Sequence, residues 1–171
     1  MGMMSLQLPN DCVDSEAIDQ FWMEQALILA KIAQDQGEVP VGAVVVYEGQ
    51  CVGYGHNSVI KLNDPTAHAE VLALRMAGFQ LNNYRLSRTT LYVTLEPCPM
   101  CAGAMVHSRV DRVVYAAQDP RTGAAGRENS VFNLLQSDQL NHRCQVSNNV
   151  LSQSSAILLK QFFQQKRSSS H

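Results

Sequence analysis

The sequence contains no long hydrophobic run. Its longest apolar stretch, around residues 39–47, is interrupted by Pro40 and Gly42, and a membrane helix needs about 18 consecutive apolar residues or more. The N-terminal region also lacks the basic and apolar parts of a secretory signal peptide and carries acidic side chains instead, at Asp11, Asp14, Glu16 and Asp19. These absences exclude a membrane span and predict a cytoplasmic protein.

The cysteine count is odd, which argues against a framework of disulfides. The chain has five cysteines, and in a reducing compartment such residues are more often buried, metal-binding or catalytic. Cys12, Cys51 and Cys144 are interpreted as buried or incidental thiols. Cys98 and Cys101 remain as candidates for chemistry.

The average charge gives no indication of a nucleic-acid partner, because the formal net charge is −2. Its distribution is uneven: residues 139–171 carry four basic side chains and no acidic ones. Such a basic C-terminal element either contacts phosphate groups or is simply solvated.

The order of predicted elements favours an α/β fold. Helices are predicted at 15–36, 64–77, 100–108, 130–136 and 152–166, and strands at 41–47, 50–55, 90–95, 112–117 and 144–146. Alternating strands and helices predict a three-layer α/β/α sandwich with a central, mixed, five-stranded sheet. We expect a flexible leader over residues 1–14, one domain over 15–167 and a disordered tail over 168–171.

Two short segments carry the residue types of a metal site. His68 and Glu70 lie in the segment 66–70, and Cys98 and Cys101 lie in the segment 96–101, each at a predicted helix start. Two cysteines three residues apart place their sulfur atoms on one face of the first helical turn. The positive partial charge of a helix N-terminus favours the thiolates that zinc requires. We therefore predict that His68, Cys98 and Cys101 bind one zinc ion.

Three protein ligands leave the fourth position of a tetrahedral zinc ion open, which is typical of catalytic sites. Zinc lowers the pKa of a bound water molecule from about 15.7 to about 7. Glu70 is two residues beyond His68, so both can approach the ion only within a first helical turn that faces a cleft. There Glu70 would collect the water proton and pass it to a substrate ring nitrogen and then to ammonia.

The two halves of this pattern are informative only together. His-x-Glu followed about thirty residues later by Pro-Cys-x-x-Cys is the signature of zinc-dependent nucleobase deaminases. By itself, Cys-x-x-Cys between a strand and a helix is equally typical of a dithiol redox motif, and an isolated His-x-Glu indicates almost nothing. The combination favours a deaminase.

From about residue 21 to residue 163 the chain resembles the bacterial tRNA-specific adenosine deaminases. The resemblance rests on residues 38–44, 64–70, 92–98, 101–105, 107–109 and 119–126. The zinc motif is shared with cytidine and guanine deaminases, whereas residues 122–126 and the surroundings of Asn57 resemble the tRNA enzymes in particular. The segment 127–140 looks longer than its counterpart in the family. The resemblance implies a cytidine deaminase-like fold.

The resemblance also implies roles for individual residues. His68, Cys98 and Cys101 would hold zinc, and Glu70 would be the proton shuttle. The residues that would contact the substrate are Asn57, Ala69, Pro97, Asp119 and Phe163. From the residues alone, Asn57 and Asp119 are also explained as turn residues and Phe163 as core.

The family resemblance implies a tRNA anticodon stem-loop as partner, with the wobble adenosine converted to inosine, and it implies a homodimer. A base in a loop is flipped out of its stack at lower cost than a base in a duplex. The apolar segment 102–106 would belong either to the dimer interface or to the core. Alternative hypotheses are a deaminase of a free base or nucleoside, of guanine or cytosine type, a thiol redox protein, and a catalytically silent RNA-binding module.

Overall fold

The computed structural model describes residues 6–170 as one mixed sheet covered by helices. The five helices and five strands of this region are α1 (Ser15–Asp35), β1 (Gly42–Tyr47), β2 (Gln50–His56), α2 (Val59–Leu62), α3 (Ala69–Gln80), β3 (Thr90–Leu95), α4 (Pro99–His107), β4 (Arg112–Ala117), β5 (Gln145–Ser147) and α5 (Ser152–Ser169). Within residues 6–170, none of the helices has the length and apolar character that crossing a membrane requires.

The sheet has the strand order β2-β1-β3-β4-β5. Strand β1 pairs antiparallel with β2 and with β3, whereas β3, β4 and β5 run parallel to one another. The short Glu48-Gly49 turn permits the β1–β2 hairpin, since both residues have positive φ. The predicted mixed, five-stranded sheet is confirmed.

Helices cover both faces of this sheet. Neighbouring residues of β1 point to opposite faces, so that Val44 packs with Trp22 of α1 while Val45 belongs to the core beneath α3 and α4. Helix α5 packs with α1 on the first face. Burial on both sides explains why β1 is an almost continuous apolar run. The three-layer α/β/α sandwich is therefore confirmed.

Two glycines of β2 bring α3 unusually close to the sheet. A Cβ atom at Gly53 would lie 2.2 Å from the carbonyl oxygen of Ala73, and one at Gly55 would lie 2.7 Å from that of Ala69. The α3 backbone thus rests directly on the backbone of β2. This contact determines where the N-terminus of α3, which carries His68 and Glu70, lies relative to the sheet.

Helix α3 begins later than the sequence pattern predicts. The Asp64 carboxylate accepts hydrogen bonds from the Thr66 amide at 2.8 Å and from the Thr66 hydroxyl at 2.7 Å. This local turn keeps residues 64–66 outside the helix. The helix then continues through Gly78 to Gln80.

The helix predicted over residues 130–136 is wrong. The backbone of this segment pairs with residues 123–126 instead: the Phe132 amide donates to Gly123, the Gly126 amide donates to Phe132, and Asn133 forms a bridge with Ala125. This pairing with a distant segment satisfies backbone N–H and C=O groups that would otherwise form hydrogen bonds within a helix.

Hydrogen bonds are present at both ends of the described chain. Residues 6–8, within the segment expected to be a flexible leader, hydrogen-bond to the start of β2, with Gln7 paired to Gln50. Helix α5 extends to Ser169, three residues beyond the predicted Lys166, and the Ser168 and Ser169 hydroxyls donate to carbonyls one turn earlier. Residues 1–5 and 171 lie outside the described chain.

The close approach of α3 to β2 predicts a strong effect of a single methyl group. We expect Gly53→Ala to lower the free energy of unfolding by about 3 kcal/mol. The reason is that the added Cβ collides with the α3 backbone at Ala73, which cannot move unless the helix moves with it. Gly78→Ala is the matched control: its Cβ would meet only an ordinary contact at 3.6 Å, so we expect a gain of about 0.5–1 kcal/mol. Urea denaturation measures both, and equal effects would contradict the close packing.

Candidate metal centre and active-site cavity

The N-termini of two helices meet at the end of β3. His68 is the residue immediately before α3, and Cys98 is the residue immediately before α4. Within the described chain, neither side chain caps its own helix by a hydrogen bond, so both are free to turn toward a common point. Cys101 lies in the first turn of α4 and is buried.

The three predicted ligands lie together. The Cys98 Sγ and Cys101 Sγ atoms are 3.7 Å and 3.4 Å from His68 Nδ1, and all three atoms lie within 4.8 Å of one another. Among residues 6–170, no further His, Cys, Asp or Glu joins this group. One imidazole and two sulfur atoms at these distances form a group that can hold a metal ion.

The charges of the group also fit a cation. Hydrogen bonds with Cys101 and His68 lower the pKa of Cys98 to about 4. The pKa of Cys101 is raised by the hydrogen bond from that residue to Cys98 and by burial. Two adjacent thiolates repel each other, so the sulfur pair releases both protons only when a positive charge lies between them. Such a pair is suited to a divalent ion with affinity for sulfur.

Glu70 lies beside this group in the first turn of α3. Its side chain is only 4% exposed, and burial raises the pKa of its carboxyl group to about 7. A carboxyl group with that pKa can both take up and release a proton near neutral pH. The fold thus brings the predicted proton shuttle to the predicted metal ligands.

Asn57 follows β2 and faces the same site. Its side-chain oxygen accepts a hydrogen bond of 2.9 Å from the Ala69 amide, which is one of the unpaired donors at the start of α3. The backbone of Ala69 therefore orients the Asn57 side chain. Because the oxygen is occupied in this way, the amide nitrogen is the group that remains for a ligand.

A cavity of about 200 Å³ connects these residues. Its lining combines polar and titratable residues with apolar ones: Val39, Val41, Asn57, His68, Glu70, Leu95, Glu96, Cys98, Asp119 and Thr122. A larger groove between α3 and α4, of about 390 Å³, contains none of the predicted catalytic or metal-binding residues.

The other predicted substrate contacts have different surroundings. Asp119 lines the cavity and also caps a turn, since its carboxylate accepts from the amides of Arg121 and Thr122. Pro97 accepts a hydrogen bond from Ala124 through its carbonyl oxygen. Phe163 does not line the cavity: it is 46% exposed on α5, where its ring packs edge-on against Phe162. Its contact with substrate stays a prediction.

Comparison with known proteins extends this picture. Residues 18–167 match the MafB19-like deaminase family. The tRNA-specific adenosine deaminase of Haemophilus influenzae is 47% identical over 150 residues, which cover 87% of this chain and 85% of the relative. The corresponding enzyme of Bacillus subtilis is 44% identical over 149 residues, covering 87% and 91%. This chain belongs to the tRNA-specific adenosine deaminase family.

A solved structure supports membership of the tRNA-specific adenosine deaminase family. A structure from work on A-to-I editing by tRNA A34 deaminases at the wobble position of transfer RNA superposes with a TM-score of 0.77 at 40% identity, covering 81% of this chain and 98% of that one. The similarity spans nearly the whole of that chain.

Sequence reasoning missed five residues of the cavity wall, Val39, Val41, Leu95, Glu96 and Thr122, and Glu96 is the charged one among them. It stands directly after the buried strand β3 and two residues before Cys98, and it is almost completely buried. The signal was a charged residue at the end of an apolar strand, because a buried carboxylate requires hydrogen-bond donors around it.

The buried hydrogen bond between Asn57 and Ala69 gives a prediction for stability. We expect Asn57→Ala to cost about 1–3 kcal/mol in urea denaturation, because the Ala69 amide then loses its acceptor in a buried place. Asn83→Ala is the matched control, since Asn83 accepts a bond of the same length, 2.9 Å, from Arg85 on the exposed surface. At that exposed site water replaces the Asn83 side chain as acceptor, so the loss in free energy of unfolding should stay below about 0.5 kcal/mol. Equal losses would argue against the orienting bond.

Proposed function

We propose that this protein deaminates adenosine to inosine at the wobble position of a tRNA anticodon loop. The observation that carries the proposal is the convergence of His68, Cys98 and Cys101 beside the buried carboxyl group of Glu70, in a chain of the tRNA-specific adenosine deaminase family. The reaction adds water to the purine C6 atom, breaks its bond to the amino nitrogen and releases ammonia.

We further propose zinc as the metal, with one ion per chain held by His68, Cys98 and Cys101. A tetrahedral zinc ion with bonds of about 2.3 Å to sulfur and about 2.0 Å to nitrogen separates such ligands by about 3.5 Å. The observed sulfur–nitrogen distances of 3.7 Å and 3.4 Å fit this arrangement. When bound, the ion supplies the Lewis acidity that makes water nucleophilic near neutral pH.

Glu70 is proposed to move the protons. Its position in the first turn of α3, at the cavity wall and beside Cys101, lets one carboxyl group reach both the attacking water and the substrate ring. The carboxylate takes a proton from water and delivers it to a ring nitrogen. It then carries the proton of the new C6 hydroxyl group to the amino nitrogen, which leaves as ammonia while the C6 carbonyl forms. Its burial limits the access of bulk water to the carboxyl group.

The cavity has room for a base rather than for a whole nucleotide. Its volume of about 200 Å³ is below the range of about 300–1,000 Å³ that is typical of sites for drug-sized ligands. A nucleobase flipped out of a loop would enter while its ribose and phosphates stay outside. We propose that Asn57 donates to the base through its amide, and that Ala69, Pro97, Asp119 and Phe163 contact the substrate as the family resemblance implies.

A second candidate substrate is a free purine base. A guanine deaminase from Nitrosomonas europaea superposes with a TM-score of 0.72, covering 94% of this chain and 96% of that one, but it is only 26% identical. The higher identity to the tRNA enzymes favours RNA as the substrate.

The proposed partners are a tRNA anticodon stem-loop and a second copy of this chain. Helix α5 exposes Lys160, Lys166 and Arg167, which are suited to phosphate contacts. In the segment 102–106, the structure buries Ala102, Met105 and Val106 within the chain. We propose that a homodimer uses the groove between α3 and α4, which Ala104 of this segment lines and where Phe79 and Tyr84 are exposed. Action on tRNA corresponds to a cytoplasmic location.

The proposed reaction predicts inosine formation in a minimal RNA. We expect the zinc-loaded protein to convert the wobble adenosine of an anticodon stem-loop, and Glu70→Gln to lower kcat at least about 100-fold because the proton shuttle is lost. Glu16→Gln is the matched control, since Glu16 also lies in the first turn of a helix but is exposed. Turnover of free guanine or nucleoside with none on the RNA would contradict the proposal.

The proposed metal site predicts the zinc content. We expect about one zinc ion per purified chain by elemental analysis, and a large loss after dialysis of His68→Ala, Cys98→Ala or Cys101→Ala. Cys144→Ala serves as control, because Cys144 is a buried cysteine of the core away from the ligand group. A zinc-free protein whose Cys98 and Cys101 titrate as a reversible dithiol would support the redox alternative instead.

A further inference from the structure

Glu96 is a buried carboxylate whose hydrogen-bond partners all belong to the segments beyond β4. It follows the end of β3 and is only 2% exposed. Its Oε2 atom accepts from the Asp119 amide at 3.1 Å, and its Oε1 atom accepts from the Ala125 amide at 3.3 Å and from the Ser130 hydroxyl. Both ends of the segment 119–125 are thus bound to one carboxylate.

The segment 119–125, here called the cavity loop, forms part of the wall of the active-site cavity through Asp119 and Thr122. Its internal shape comes from its own turn, because the Asp119 carboxylate accepts from Arg121 and Thr122. Its position relative to β3 and Cys98 depends on the bonds to Glu96 and on a bond from the Ala124 amide to the Pro97 carbonyl. The shape of the loop and its placement are therefore set by different groups.

Gly123 makes the close approach of the carboxylate possible. A Cβ atom at this position would lie 2.1 Å from Glu96 Oε2, so no other side chain fits while Glu96 keeps its place. The carboxylate therefore packs against the loop backbone at Gly123, between the two amides from which it accepts hydrogen bonds, at Asp119 and Ala125.

A carboxylate is a costly choice for a purely structural core position. Burying one costs several kcal/mol unless donors surround it, and an apolar side chain of similar volume would often be as stable or more so. What Glu96 offers and an apolar residue does not is directional acceptance of amides at Asp119 and Ala125. The donors it selects belong to the loop that lines the cavity.

We propose that Glu96 is a positioning residue that fixes the cavity loop over the substrate, and that Gly123 is required for this contact. In this role Glu96 acts on the substrate through the backbone of the cavity loop, which carries Asp119 and Thr122. The expected effect on RNA binding rests on the proposed function, whereas the effect on the loop itself does not.

The test compares four full-length, zinc-loaded proteins: the parent, Glu96→Gln, Gly123→Ala and Asp19→Asn. In Glu96→Gln, one carboxylate oxygen becomes an NH₂ group that faces a donor. In Gly123→Ala, Glu96 stays but the added Cβ would lie 2.1 Å from Glu96 Oε2 and 2.6 Å from the Asp119 carbonyl oxygen. This variant therefore perturbs the carboxylate contact and the turn of the loop together, and an unchanged loop in it still counts against the contact if Glu96→Gln does not fold. Asp19→Asn is the control, because Asp19 is also a buried carboxylate, bonded to Tyr92 and Arg112 near the opposite end of the sheet.

Two measurements decide the proposal. By NMR hydrogen exchange, we expect the Asp119 and Ala125 amides of Glu96→Gln and Gly123→Ala to exchange at least about tenfold faster than in the parent, with unchanged zinc content. On the anticodon stem-loop we expect KM to rise about tenfold while kcat changes less than about threefold. Asp19→Asn should show neither change at the loop nor a rise in KM.

The contrary outcomes are distinct. Unchanged exchange at Asp119 and Ala125 in a folded Glu96→Gln or Gly123→Ala protein would overturn the positioning role. Faster exchange with an unchanged KM would overturn the link to substrate. If the parent itself does not deaminate the RNA, the proposed function fails, and the exchange rates still decide whether Glu96 holds the loop.

Discussion

The site depends on the close contact between α3 and β2. Because Gly53 and Gly55 carry no side chain, the helix backbone lies directly on the strand, and the N-terminus of α3 arrives at the end of β3 where α4 also begins. The positive ends of two helix dipoles then meet next to two cysteine sulfur atoms. Side chains at these two positions of β2 would push α3 away from the sheet. His68 and Glu70 would then move away from Cys98 and Cys101, whose positions are set by α4.

The same arrangement buries several ionisable side chains close together, which costs free energy on folding. Glu70 and Glu96 are buried carboxyl groups and Cys98 is a half-buried thiolate, and each loses hydration on folding. The two carboxyl groups have different surroundings: Glu96 receives three hydrogen bonds from loop segments, whereas burial raises the pKa of Glu70 to about 7. The first arrangement is suited to the proposed positioning of a loop, and the second to the proposed exchange of protons near neutral pH.

Local sequence patterns predicted most of the secondary structure for identifiable reasons. Strands β1, β3 and β4 are largely apolar runs buried on both faces, and α1 has apolar residues at helical spacing. The sequence pattern placed the start of α1 at Ser15, and the structure shows Asp14 as its N-cap. The pattern was wrong at 130–136, where the spacing resembles a helix but the backbone pairs with residues 123–126. It also placed the start of α3 too early, because the hydrogen bonds of Asp64 with Thr66 compete with the helix.

By itself, the sequence determined the chemistry: His68, Glu70, Cys98 and Cys101 are of the types and spacings that a metal-assisted hydrolytic site needs, and each short segment sits at a helix start. Only the tertiary structure decided which groups face the cavity, including the orientation of Asn57 by the Ala69 amide, the burial of Glu96 beneath the cavity loop and the exposure of Phe163. The physical reason is the range of the forces. Capping and helical spacing act within a few residues, whereas burial and the pairing of distant polar groups exist only after the sheet and helices have packed.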